Sequence, residues 1–191
     1  MKTRLNQALK ASILPLFVVS LFLLSSCLKS NENLQTPEEF LDQVLNNVDK
    51  TKLAADLAVI DDSLERWDLT PEILIEPKGV RYKIDTLGDA GGVKPVLSNI
   101  VKIKYTGKFL STGETFDSSD SLATKYLESF GYGLIVGIQT TLPLLTKGTT
   151  ATLYIPSGYG YGANDLKNTN GDIIIPKNSN LIFQIKLLDV R

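Results

Sequence analysis

Residues 101–107 read Val-Lys-Ile-Lys-Tyr-Thr-Gly, so that Val101, Ile103 and Tyr105 alternate with Lys102 and Lys104. A period of two marks a strand with one face on a core and the other in water. The same rhythm appears upstream, where Val80, Tyr82 and Ile84 alternate with Arg81 and Lys83. Downstream it returns in Ala151, Leu153 and Ile155, set against Thr152 and Tyr154, and again in Leu181, Phe183, Ile185 and Leu187. Between these strands, Ile138 to Leu145 is a short apolar run. Pro143 limits a helix there to a turn or two, and Lys147-Gly148 reads as its stop. The simplest assembly is an α+β domain over residues 75–191: an antiparallel, twisted sheet wrapped around one short helix.

Moving toward the N-terminus, the period changes to three and four. Leu41, Val44, Leu45 and Val48 are followed by Leu53, Leu57, Ile60, Leu64 and Trp67. That spacing predicts an amphipathic helical segment over 36–70, as one long element or as two broken near Asp49-Lys50-Thr51. Thr36-Pro37-Glu38-Glu39 has the pattern of a capping box, with proline at the first helical position. Such a segment serves as a collar on the domain; the alternative is a surface for dimerisation or partner docking through residues 36–67. Residues 27–35 are polar and read as a tether.

Residues 1–26 carry Lys2, Arg4 and Lys10, no acidic residue, and an apolar stretch from Ala11 to Leu24. The stretch is short of the ~20 apolar residues of a bilayer span, and the order of basic, apolar and small residues is that of a secretory signal. Its end, Leu24-Ser25-Ser26-Cys27, resembles a bacterial lipobox, in which the cysteine is lipidated and becomes the first mature residue. This resemblance implies a lipoprotein held at a membrane by acyl chains on Cys27, in the bacterial envelope, at the periplasmic side of the outer membrane. Processing there removes three of the 20 basic side chains and none of the 21 acidic ones, so the anchor depends on acyl chains and not on attraction to anionic lipid.

Composition excludes much. The chain has 191 residues, a formal net charge of −1, no histidine and a single cysteine. Ser-His-Asp and Cys-His triads, His-ligated metal sites and intramolecular disulfides are all ruled out. The charge balance gives no footing for a nucleic-acid partner, and no metal or cofactor is implied.

Three blocks carry a more specific signal: Tyr105-Thr-Gly107 with Gly113-Glu-Thr-Phe116-Asp117-Ser-Ser119; Leu134-Ile135-Val-Gly137-Ile138; and Tyr159-Gly-Tyr161-Gly-Ala163 with Ile174-Ile175-Pro176 and Leu181-Ile-Phe183. In order and spacing they resemble the FKBP-type peptidyl-prolyl cis-trans isomerases, over roughly residues 79–190. The resemblance implies that Tyr105, Phe116, Ile135, Ile138 and Phe183 line an apolar pocket for a proline ring. It further implies that Asp117 accepts a hydrogen bond at the rim, that Tyr161 offers its hydroxyl to a substrate carbonyl, and that Ile175 covers one side. Proline-containing polypeptides are the implied partners, with macrolides as further ligands. Tyr126 or Phe130 supplies another aromatic wall, the sequence leaving the choice open.

Rotation about an Xaa-Pro bond breaks no covalent bond, so the lack of imidazole and thiol is no obstacle to this chemistry. Ile138 stands where many active members of the family carry tryptophan. That departure motivates the alternative of a non-catalytic binding module or chaperone in envelope assembly or secretion machinery.

Overall fold

The structure is a computed structural model that describes residues 35–127 and 134–191, with 120–126 described through the backbone alone. The signal, Cys27 and most of the tether lie outside the described residues, as do Phe130 and the side chain of Tyr126. Two helices come first, α1 (Pro37–Asn47) and α2 (Lys50–Arg66). Of the two forms the sequence leaves open, the segment takes the two-helix one, broken at Val48-Asp49. Asp49 caps α2, its Oδ1 accepting from the N–H groups of Thr51 and Lys52 at 2.9 and 3.0 Å. Thr36 closes the expected box on α1: its hydroxyl accepts from the Glu39 N–H at 3.2 Å, and the Glu39 carboxylate accepts from the Thr36 N–H at 2.8 Å.

The strands are β1 (Leu74–Ile75), β2 (Arg81–Thr86), β3 (Ile100–Phe109), β4 (Thr115–Tyr126), β5 (Thr150–Ile155), β6 (Leu166–Lys167), β7 (Ile173–Ile175) and β8 (Leu181–Val190). Six of them form an antiparallel sheet in the order β1-β2-β5-β8-β3-β4, while β6 and β7 form a separate hairpin. A short helix, α3 (Val136–Thr141), runs into a 3₁₀ turn at Leu142–Leu144. This is the α+β arrangement expected. Ala151, Leu153, Ile155, Ile103, Ile185 and Leu187 are all fully buried beneath α3 or beside it, in a core that Leu41 and Leu45 of α1 also enter. Among the described residues no helix is long and apolar enough to cross a membrane.

Two expectations need correction. Alternation puts Tyr154 on the wet face of β5, yet it is buried. Helix α2 lies over that second face, and Ile60 and Leu64 form a smaller apolar cluster with Tyr154 and Leu110. Trp67, at the end of α2, has its ring 6.3 Å from that of Tyr154. Arg81 of β2 pairs with Asp61 through two nitrogens, at 2.8 and 2.6 Å, and fixes the helix laterally. The second correction concerns Gly148. Helix α3 ends before it, because Pro143 diverts the chain into the 3₁₀ turn. Gly148 instead occupies a tight turn into β5 at φ +90°, and its N–H donates to the Leu187 carbonyl at 2.7 Å.

Candidate functional site

Strand β3 sits between β8 and β4, and at Gly107 it is flanked by Phe183 on one side and Asp117 on the other. Glycine is required there by close approach: a Cβ at Gly107 would lie 2.7 Å from Phe116 Cζ and 3.0 Å from Phe183 Cε1. One step along β3, from Gly107 to Lys108, spans two on β4, from Asp117 to Thr115, so Phe116 is the extra residue of a β-bulge. Bulges re-aim side chains at the edges of sheets. Here the bulged Phe116 packs on Phe109 (centroids 5.0 Å apart), meets Phe183 edge-on at 5.7 Å and Tyr161 edge-on at 6.4 Å.

Tyr105, two residues before Gly107, stacks at a tilt on Phe183 with centroids 6.0 Å apart and donates its hydroxyl to Asp117 Oδ2 at 2.8 Å. Helix α3 supplies Ile138, and the residues entering it supply Leu134 and Ile135. The buried Gln139 side chain donates to the Leu134 carbonyl and so fixes this entrance. Tyr161 follows the 3₁₀ turn Ser157–Tyr159 that leaves β5. Its hydroxyl has no hydrogen-bond partner among the described residues, in contrast to that of Tyr105.

These elements enclose a cavity of about 210 Å³ lined by Tyr105, Asp117, Leu134, Ile135, Ile138, Tyr161 and Phe183. It is smaller than the ~300–1,000 Å³ typical of pockets for drug-sized ligands. Six of the eight pocket residues named from the sequence come together here. Phe116 stands behind Phe183 and Tyr161, supporting the wall without lining it. Ile175 is buried at the end of β7, in the hairpin β6–β7, and does not line the cavity. Leu134 was not singled out beforehand. It directly precedes Ile135 in the quoted block, but no periodicity marks it as a wall.

Burial, the hydrogen bond to Asp117 and the nearby charge of Asp117 and Tyr161 push the Tyr105 phenol up to about 12. Burial and then the charge of Asp117 raise Tyr161 as well. A phenol with a higher pKa folded than its ~10 unfolded contributes stability that is complete below pH ~10 and is lost as pH climbs toward the folded value. The urea midpoint should therefore fall between about pH 10 and 12, and fall less steeply in Tyr105→Phe. An identical alkaline profile for that variant would remove the assignment.

Comparison with known proteins gives a consistent answer. The model of the family described as FKBP-type peptidyl-prolyl cis-trans isomerase matches residues 91–188. The chain is 34% identical over 110 residues to FK506-binding protein 1 of Saccharomyces cerevisiae, covering 56% of this chain and 91% of the relative. It is 32% identical over 121 residues to the outer membrane protein MIP of Legionella longbeachae, covering 63% of this chain and 48% of that protein. Among solved structures, a peptidyl-prolyl cis-trans isomerase from Pseudomonas syringae is similar with a TM-score of 0.58 at 26% identity. That likeness covers 74% of this chain and 94% of the other.

Proposed function

Because the chain belongs to the FKBP-type peptidyl-prolyl cis-trans isomerase family, we propose that the cavity bounded by Tyr105, Ile138, Tyr161 and Phe183 binds proline rings and turns Xaa-Pro bonds. The observation that carries this reading is the convergence of aromatic walls on a small cavity that also presents a phenol hydroxyl, that of Tyr161, with no hydrogen-bond partner among the described residues.

The physical task is modest. The barrier is the amide resonance lost on twisting, about 18–20 kcal/mol. The planar amide has the larger charge separation, so water stabilises it more than the twisted form. An apolar cavity that strips this water disfavours the ground state, and differential binding of this kind is what accelerates a reaction. Phe183, Tyr105 and Ile138 grip the ring on one side of the bond. Tyr161 holds a carbonyl of the chain as it turns, and contributes to rate only through contacts better made in the rotated geometry. Lowering the barrier by about 7 kcal/mol corresponds to a rate gain near 10⁵.

Tyr161→Phe should lower kcat/KM about tenfold, the equivalent of one neutral hydrogen bond of roughly 1–1.5 kcal/mol, with the fold intact because the hydroxyl has no hydrogen-bond partner among the described residues. Asp117→Leu removes the rim acceptor and leaves Tyr105 unpaired, and should also lower the rate. The assay is acceleration of a proline-limited refolding phase. If folded wild-type protein leaves that phase unchanged, the isomerase reading is wrong.

The reading extends to location and ligands. The N-terminal pattern ending at Cys27 and the likeness to a relative named as an outer membrane protein support a lipid-anchored isomerase that assists exported polypeptides in the bacterial envelope. Cys27→Ser should move the protein from the membrane to the soluble fraction. The name of the yeast relative supports macrolide binding at the same cavity. Ile138 at its floor favours one rival reading, a module that holds its client without turning it. A large rise in turnover for Ile138→Trp would favour that rival.

A further inference from the structure

We propose that Asp56 is a positioning residue for the isomerase site: from helix α2 its carboxyl group holds the turn that presents Tyr161. This inference rests on the reading of the cavity given above.

Asp56 lies in the apolar stripe of α2, between Leu53 and Ile60, and is only 2% exposed. Desolvating a carboxyl group is unfavourable unless it is hydrogen-bonded, and apolar contacts through Ile60 and Leu64 already dock the helix. The carboxyl group is nevertheless fully engaged. Its Oδ1 pairs with Lys52 one turn back. Its Oδ2 accepts twice from one residue 101 positions further on: from the Ser157 N–H at 3.1 Å and from the Ser157 hydroxyl at 2.5 Å. Ser157 is itself 1% exposed, and Asn180 Oδ1 accepts from the same N–H at 3.0 Å.

What Ser157 does next links the helix to the site. Its carbonyl accepts from the Gly160 N–H at 3.0 Å and from the Gly162 N–H at 2.9 Å. Those two glycines flank Tyr161. The residue clamped by Asp56 is thus the one whose carbonyl closes the loop on both sides of the phenol. With the clamp in place, the Tyr161 hydroxyl stays at the cavity edge. Without it, the turn keeps its sequence but loses its external reference, and the phenol samples positions that do not serve the rotating bond. On this account the N-terminal helices are part of the catalytic unit and not solely a collar.

The test is a kinetic cycle of Asp56→Ala, Tyr161→Phe and the double variant, each measured where circular dichroism shows it folded. Asp56→Ala should lower kcat/KM about five- to tenfold, mainly in kcat, and Asp56→Asn, which keeps an acceptor oxygen, should lie between it and wild type. In the Tyr161→Phe background the same change should cost less than about twofold, since residues acting as a unit are non-additive. Val101→Ala, in the core of β3, serves as a control for lost stability alone and should stay within about twofold of wild type. Additive losses, or an Asp56→Ala rate equal to wild type, would overturn the proposal. Should Asp56→Ala fail to fold, Ser157→Ala takes its place in the cycle. If wild-type protein shows no isomerase activity, the functional reading fails instead. The Tyr161 ring resonances of tyrosine-labelled protein then decide the inference, supporting it if they move on Asp56→Ala or Ser157→Ala and overturning it if they do not.

Discussion

Phe183→Ala is expected to lower kcat/KM at least about 100-fold, equivalent to about 2.7 kcal/mol in the barrier, and to reduce stability by about 3–5 kcal/mol. Both losses have one cause. The ring is 3% exposed and lies between Tyr105 and Phe116, 6.0 and 5.7 Å away. It is therefore a wall of the cavity and a member of the core at once. Truncation leaves a void that the surrounding sheet cannot fill, since β3 and β5 are both paired to β8 at this position. Phe183→Leu separates the two effects. A near-conserved volume should keep the stability loss below about 1.5 kcal/mol, while the flat aromatic face proposed to carry a proline ring is gone. Urea unfolding and kcat/KM on the same samples measure both. A folded Phe183→Leu protein with undiminished activity would take the proline ring out of this cavity.

The second large effect comes from the smallest side chain in α3. Replacing Gly137 with alanine in an exposed helix would stabilise by about 1 kcal/mol. Here a Cβ would sit 2.5 Å from Cγ2 of Ile155 and 3.0 Å from its Cγ1 and Cδ1. Ile155 is fully buried in β5 and has no room to retreat. Overpacking of this kind costs about 1–3 kcal/mol, which outweighs the propensity gain. Gly137→Ala should accordingly destabilise by about 1–2 kcal/mol. It should also depress activity, because lifting α3 off β5 carries Ile138 and the Leu134–Ile135 entrance with it. Ile155→Ala removes the obstructing methyls, so the double variant should be at least about 1 kcal/mol more stable than the two single losses imply. Simple additivity would mean that α3 accommodates the methyl by another route.

Much of this architecture was legible in the chain itself, for physical reasons that also mark where legibility ends. Alternation in 101–107, 151–155 and 181–187 identified the strands and their inner faces, because pleating forces successive side chains to opposite sides. The cap at Thr36 was readable because it is local, made within three residues. Alternation does not say what covers the second face of a sheet, so the burial of Tyr154 by α2 was not foreseeable from β5 alone. The bulge at Phe116 is equally hidden: it is a property of the pairing with β3. Gly148 was placed at a helix end because Lys-Gly is a common stop, but Pro143 had already ended the helix. Asp56 is the clearest limit. In sequence it interrupts an apolar stripe, and only its partner 101 positions later explains why it is there.

The most direct test of the account is exchange spectroscopy by nuclear magnetic resonance on a short Xaa-Pro peptide with and without the protein. Uncatalysed, the cis and trans resonances interconvert over tens to hundreds of seconds and show no exchange cross-peaks on the second timescale. With catalytic amounts of the wild-type protein, cross-peaks between them should appear at mixing times of about a second or less, and should weaken about tenfold in rate with Tyr161→Phe. Resonances that stay unconnected beside a folded protein would contradict the claim that this cavity turns prolyl bonds.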